Sequence, residues 1–132
     1  MPRIFDFGGR DVERAQTVAG LRVLKSAGRQ AAQVTAETAD EAAAAEAAGV
    51  EMVVCRATNV ARVRKGPQRV FVNAALGFAE AVTTDEILRT AFAAITGGAD
   101  AVLTSRGAET VRVLAHEQIP RSEERRVGKE CQ

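Results

Sequence analysis

Ala48-Gly-Val-Glu-Met-Val-Val54 and Gly97-Gly-Ala-Asp-Ala-Val-Leu103 are near-copies of one unit, in which a helix pattern ends at glycine and an apolar run begins. Continuous apolar runs are typical of strands in a parallel sheet that is covered on both faces. A unit that recurs along the chain is what a repeated βα architecture produces. The pair therefore predicts an α/β fold with parallel strands joined by right-handed crossovers.

Outward from these segments, the chain passes four times from a helix pattern to a short strand pattern. Thr38 and Thr83 are each followed three residues later by Glu, which is the signature of a capping box. The pattern predicts helices over about 17–28, 38–49, 59–65, 83–98 and 108–117, and strands over about 30–36, 51–56, 69–74 and 100–105. A fifth strand would start at Ile119-Pro120. Such junctions occur in open doubly wound sheets and in closed barrels, but no Gly-x-Gly-x-x-Gly supports dinucleotide binding.

Composition excludes several classes of protein. The chain has 132 residues, of which 46% are hydrophobic and 27% charged, as expected for one globular domain. It has no Trp or Tyr, and its basic residues are scattered with a net charge of +1, so we expect no nucleic-acid partner. No run approaches the roughly 20 apolar residues of a membrane span, so we expect no membrane partner and a cytoplasmic protein.

The last twelve residues lack the apolar periodicity of the rest of the chain. Arg-Ser-Glu-Glu-Arg-Arg-Val-Gly-Lys-Glu-Cys follows Pro120 without helical or strand periodicity, so no element is predicted there. The segment resembles an in-frame translation of a sequencing-adapter oligonucleotide. We therefore expect residues 121–132 to be a non-native tail and residues 1–120 to form the domain. A charged, solvated native tail is the alternative.

Several segments resemble the opening of ketopantoate hydroxymethyltransferase: Thr17 to Arg29, Val34-Thr-Ala36, Ala42 to Val54 and Gly98-Ala-Asp-Ala-Val102. That family belongs to a barrel superfamily that includes phosphoenolpyruvate and pyruvate enzymes. The resemblance implies the N-terminal half of a (β/α)8 TIM barrel, about four βα units, cut short before closure. It also implies one-carbon transfer to 3-methyl-2-oxobutanoate in pantothenate biosynthesis, with Mg2+ and methylenetetrahydrofolate.

The metal-binding carboxylates of that family have no counterparts here. Its Gly-Asp-Ser motif at the second strand corresponds to Cys55-Arg56-Ala57, and its next Asp falls on Ala74, or on Asn73 with a one-residue shift. Its Lys-x-Glu motif falls on Leu103-Thr-Ser105. Because Mg2+ needs hard oxygen ligands, we expect no Mg2+ site of the family type, no cofactor and no turnover in this chain.

In barrels, residues just past the carboxyl ends of the strands form the binding site. Those positions are Thr35, Arg56, Asn73, Ser105 and Arg106, of which Thr35 alone matches a family site residue. Arginine binds planar oxyanions in a bidentate fork, so we expect a small carboxylate, 2-oxo acid or phosphate as ligand. The alternative is that the two arginines solvate loop ends or pair with nearby acids, Glu37 and Glu109.

The other residues that could take part in catalysis or binding are interpreted as structural or solvated. Cys55 lies in an apolar run and is expected to pack as a small hydrophobic residue. His116 falls in the last turn of a helix, where it faces the negative end of the dipole. The basic residues from Arg62 to Arg69 are interpreted as a solvated rim.

Two functions from other classes compete with the transferase interpretation. Loss of the carboxylates would leave a non-catalytic barrel paralogue that binds a small anion or a partner subunit, and a metal-independent lyase or aldolase is the third possibility. A half barrel also has open strand edges, so we expect self-association through the exposed edges of its sheet.

Overall fold

The computed structural model describes residues 3–5, 11–66, 68–77, 81–117 and 121–123. Within these ranges the strands are β1 (Arg3–Phe5), β2 (Asp11–Glu13), β3 (Gln33–Thr35), β4 (Met52–Arg56), β5 (Phe71–Leu76), β6 (Ala101–Thr104) and β7 (Arg121–Glu123). The helices are α1 (Val18–Ser26), α2 (Ala39–Ala47), α3 (Val60–Val63), α4 (Thr84–Thr96) and α5 (Ala108–His116), and a 3-10 turn at Ala57–Asn59 precedes α3.

The main sheet is parallel throughout and its strands follow chain order, β3-β4-β5-β6-β7. The α/β class with parallel strands is therefore confirmed. The strands advance across the sheet in chain order, and because crossovers between parallel strands are almost always right-handed, the connecting helices lie on one face. Strand residues on that face form the core with residues of α2, α3, α4 and α5; the strand residues are Val53, Cys55, Val72, Ala74, Leu76 and Val102.

The threonines begin helices as the sequence predicts. The Thr83 side chain accepts from the Glu86 N–H, and the Glu86 carboxylate accepts from the Thr83 N–H, which completes a capping box. At α2 the Thr38 hydroxyl accepts from the Glu41 N–H, but the Glu41 carboxylate accepts from the Glu37 N–H instead of closing the box. These bonds satisfy backbone donors that a helix leaves free at its first turn.

Strand β5 begins two residues later than predicted, at Phe71, and continues to Leu76. The backbone of Arg69 is bound elsewhere, because its N–H donates to Glu46 Oε1 at 2.5 Å and its carbonyl accepts from the Ala15 N–H at 2.7 Å. Because the strand continues to Leu76, the prediction that it ends at residue 74 is also wrong. Asn73 lies in the middle of the strand, not at its carboxyl end.

Three strands lie where the sequence predicts none. Strands β1 and β2 form an antiparallel pair. Strand β7 pairs in parallel with β6, so the expectation that no element occurs after Pro120 is wrong for Arg121–Glu123. The predicted start of the fifth strand at residues 119–120 and the remaining tail at 124–132 lie outside the described residues. That the tail is non-native stays a prediction.

The sheet begins at β3, which pairs only with β4 among the described strands. All three residues of β3 are exposed, and Val34 is 41% exposed although it lies on the face that the helices cover. Helix α1 precedes this edge and has no fully buried residue. Self-association through this edge therefore stays a prediction. None of the helices in the described residues is long and apolar enough to cross a membrane.

Candidate functional site

The sheet register places three of the predicted site residues on one face. Thr35 pairs with Val54, and Val54 pairs with Asn73, so these residues form a row across β3, β4 and β5. Side chains alternate between faces along a strand, and Arg56 therefore projects from the same face as Val54, two residues nearer the carboxyl edge. This is the face opposite the helices. We call it the open face.

Asn73 is the buried polar group of the open face, with 8% of the residue exposed. Its Nδ2 donates to Gln33 Oε1 over a long 3.4 Å, and its Oδ1 is buried without a hydrogen-bond partner. A buried acceptor without a partner costs about 1–3 kcal/mol, because it has lost the hydrogen bonds of water. The sequence placed Asn73 at the site but gave no sign of this orphaned oxygen.

Arg56 ends β4 and its residue is exposed. Its backbone N–H donates to Glu37 Oε1 at 3.1 Å, and the same oxygen accepts from Asn59 Nδ2 at 2.9 Å. Glu37 thus stabilises the turn after β4, and no ion pair joins it to the Arg56 guanidinium within the described part of the chain. The Arg56–Glu37 ion pair therefore does not form, whereas solvation of the loop end, the other form of that alternative, agrees with the exposure of Arg56. Its guanidinium lies at the carboxyl edge, able to bind an anion.

Ser105 and Arg106 lie in the turn between β6 and α5. The Arg106 N–H donates to Thr104 Oγ1 at 3.1 Å, which orders the turn. Glu109 accepts from Arg112 through two bonds of 3.1 and 2.6 Å. The turn follows Thr104, the last residue of β6. The preceding residue, Leu103, aligns with Arg56 through Ala75, so the turn lies two strands, or about 10 Å, from β4. Both residues share the carboxyl edge with Arg56 but are not in its immediate row.

Cys55 points to the helix side and is 1% exposed. Burial raises the pKa of the Cys55 thiol to about 11, and the nearby Glu37 carboxylate adds to this, while Arg64 acts in the opposite direction. A thiol with this pKa is protonated at neutral pH and is a poor nucleophile. The structure therefore agrees with its interpretation as a packing residue. His116 is exposed in the last turn of α5.

A buried charge cluster that the sequence patterns did not predict lies at the amino ends of the strands. Arg14 Nε lies 2.8 Å from Asp100 Oδ1, and Arg64 Nη2 lies 2.7 Å from Oδ2; all three side chains are about nine-tenths buried. Burial raises the pKa of Asp100, and the two guanidiniums and the Val72 N–H oppose that shift. The prediction that Arg64 belongs to a solvated rim is therefore wrong, because its guanidinium forms a buried ion pair with Asp100.

A weak sequence signal for this cluster exists in the repeated unit. Asp100 precedes β6 and accepts from the Val72 N–H at 3.0 Å. Glu51 occupies the equivalent place before β4 and accepts from the Ala32 N–H at 3.3 Å. In both copies an acid just before a strand binds a backbone N–H of the neighbouring segment. The recurrence of an acid at this position marks a structural role and not a ligand site.

The chain matches no protein-family model and no curated protein sequence. What the open face can bind therefore follows only from the chemistry of its own residues. In the described ranges, no group of three or more His, Cys, Asp or Glu residues is arranged to hold a metal ion. At the end of β4 a cation, Arg56, and within β5 an amide, Asn73, stand where the resemblance implies the carboxylates that Mg2+ needs, so this donor set does not fit Mg2+.

A depression lies on the helix side, between α4 and α5. It is lined by Thr84, Ile87, Glu109, Thr110 and Val113 and holds about 60 Å³. Small-molecule sites usually measure roughly 300–1,000 Å³. This cleft is therefore too small for a typical small-molecule ligand.

Proposed function

We propose that this chain is part of a (β/α)8 barrel that binds a small carboxylate at the carboxyl edge of its sheet. The observation that carries the proposal is the exposed Arg56 at the end of β4, on the same face as Thr35 and Asn73. Its guanidinium would bind the carboxylate in a bidentate fork. The Thr35 hydroxyl and the Asn73 amide would orient the rest of the molecule.

The strand order supports a barrel over a doubly wound sheet. In a doubly wound sheet the order reverses at a switch point and helices cover both faces. Here five strands follow chain order and the core lies on one face. The open face would then line the barrel interior, where sites of this fold lie at the carboxyl ends of the strands.

Apolar residues on the open face favour an aliphatic ligand. Met52 and Val54 alternate with the core residues of β4, and Ala75 aligns with Arg56; all three are partly exposed. These side chains form an apolar surface beside the Arg56 guanidinium. A short branched carboxylate fits this combination, and the resemblance to ketopantoate hydroxymethyltransferase makes 3-methyl-2-oxobutanoate the first ligand to test.

Binding without one-carbon transfer is the activity that we propose. Among the described residues the strand ends lack a donor set for Mg2+, so these residues would not acidify a C–H bond in the way the resemblance implies. A role in pantothenate biosynthesis, a cytoplasmic location and the absence of nucleic-acid or membrane partners stay predictions.

Calorimetric titration of the full chain with 3-methyl-2-oxobutanoate tests the proposal. Arg56→Gln removes the charge and keeps a polar side chain, and we expect roughly tenfold weaker binding, because a charge-assisted hydrogen bond contributes about 1.5–3 kcal/mol. Arg22→Gln is the matched control, since Arg22 is exposed on α1. Equal binding by both variants, or none by the wild type, would contradict the proposal.

A further inference from the structure

We infer that the free edge of β3 is a docking surface for a second copy of this chain, which pairs with it antiparallel about a two-fold axis at Val34. The inference goes beyond the proposed function and does not depend on the carboxylate site. It starts from the end position of β3, which pairs only with β4 among the described strands.

The backbone of β3 directs a row of hydrogen-bonding groups away from the sheet. The Met52 N–H donates to the Ala32 carbonyl at 3.3 Å, so Ala32 faces β4. In a parallel ladder alternate residues bond the same neighbouring strand, and Gln33 and Thr35 therefore turn their N–H and C=O groups to the other side. These are the groups that a further strand would bind.

The edge lacks the features that usually keep other strands away. Natural edge strands are commonly protected by charged residues or proline. Strand β3 reads Gln33-Val-Thr35 and has neither. Val34 is 41% exposed on the helix side of the sheet, so an added strand would also cover apolar surface.

The charges on either side of β3 indicate which strand fits. Residues 17–32 hold basic residues and no acidic ones, whereas residues 36–50 hold acidic residues and no basic ones; the basic set is Arg22, Lys25 and Arg29, and the acidic set is Glu37, Asp40, Glu41 and Glu46. An antiparallel second copy brings the basic end of each β3 beside the acidic end of the other. A parallel copy would place like charges together. The chain is therefore complementary to itself in the antiparallel direction.

A two-fold axis at Val34 gives the register that uses every outward group of the edge. Gln33 of each copy then lies opposite Thr35 of the other, and the two residues exchange both N–H···O=C bonds. The two Val34 residues meet as the intervening non-hydrogen-bonded pair, with Cα atoms about 4.5 Å apart. Such an interface uses the same surface on both copies, so it closes as a dimer.

Sedimentation equilibrium of the full chain over a range of concentrations tests the inference. We expect a reversible dimer, and Val34→Lys should weaken it roughly tenfold, because it places two like charges opposite each other at the axis. Val82→Lys is the matched control, since Val82 is also an exposed valine, at 56%, but lies just before α4 and away from β3. A wild type that stays monomeric, or equal weakening by the two variants, overturns the inference.

Charge reversal tests the antiparallel direction. Arg29→Glu and Asp40→Arg should each weaken the dimer roughly fivefold, and the double variant should return to within about twofold of wild type. Both residues are exposed, so the fold should be unchanged, and circular dichroism checks this. A double variant that is not restored overturns the antiparallel pairing.

Amide exchange locates the interface without any substitution. The Gln33 and Thr35 N–H groups should exchange more slowly as the concentration of the wild-type chain rises, because the partner subunit then accepts from them. Exchange at these two residues that does not change with concentration, in a sample that sedimentation shows to be dimeric, places the interface elsewhere and overturns the inference.

Discussion

Replacing Asp100 by alanine tests whether the buried charge cluster holds the amino ends of the strands together. The change leaves the guanidiniums of Arg14 and Arg64 buried without their counter-ion and removes the acceptor of the Val72 N–H. Breaking one partner of a buried ion pair costs about 3–5 kcal/mol. Since domains are stable by only about 5–15 kcal/mol, the variant should be near the limit of folding.

Urea denaturation followed by circular dichroism measures the effect. With a slope of about 1.5 kcal/mol per molar urea, a loss of about 4 kcal/mol lowers the unfolding midpoint by more than 2 M. Asp100→Asn keeps an acceptor oxygen but loses the charge, so its midpoint should lie between those of wild type and Asp100→Ala. Amide exchange at Val72 should also become faster in Asp100→Ala.

Asp85 provides the control, because its carboxylate also lies 2.7 Å from an arginine, Arg89, with both side chains at least three-quarters exposed. A surface pair of this kind contributes roughly 0.3–0.5 kcal/mol, so Asp85→Ala should shift the midpoint by a few tenths molar at most. Similar shifts in Asp85→Ala and Asp100→Ala would refute the reasoning, since burial is the difference between the two pairs.

Two further predictions concern helix ends. Hydrogen bonds from the Thr83 and Val82 N–H groups lower the pKa of Glu86, so its contribution to stability is present above the pKa of an unfolded Glu and lost as pH falls through the folded value. Glu86→Gln should therefore melt below wild type at neutral pH and converge with it in acid, and a constant difference in melting temperature would contradict this. Gly98 has φ 118°, and a Cβ there would lie 2.8 Å from Arg64 Cγ, whereas Gly28 has φ 71° and open space around it. Gly98→Ala should cost about 1–3 kcal/mol in urea denaturation and Gly28→Ala less, and the reverse order would contradict the packing argument.

Much of the fold could be predicted from the sequence because its signals are local. The two near-copies that end at Val54 and Leu103 lead into β4 and β6, and the capping threonines begin α2 and α4. A local pattern gave β5 the wrong start because contacts from distant residues, Ala15 and Glu46, occupy the backbone of Arg69.

The candidate site was predicted in part. The positions of Thr35 and Arg56 follow from where their strands end, and the register brings them to one face with Asn73. The orphaned oxygen of Asn73 depends on which side chains surround it in the folded chain. Likewise, Arg14, Arg64 and Asp100 are separated by 36 residues or more in sequence, so only the tertiary structure reveals their contact.

The acids that precede β4 and β6 have a consequence for the opposite edge of the sheet. Parallel strands have no tight turn to fix their alignment, and a slip of one residue would exchange the two faces of a strand. The carboxylates of Glu51 and Asp100 each reach a backbone N–H that is in place only in the observed alignment. These bonds favour the observed alignment at the amino ends of the strands, and in that alignment Arg56 and Asn73, rather than Cys55 and Ala74, lie on the open face.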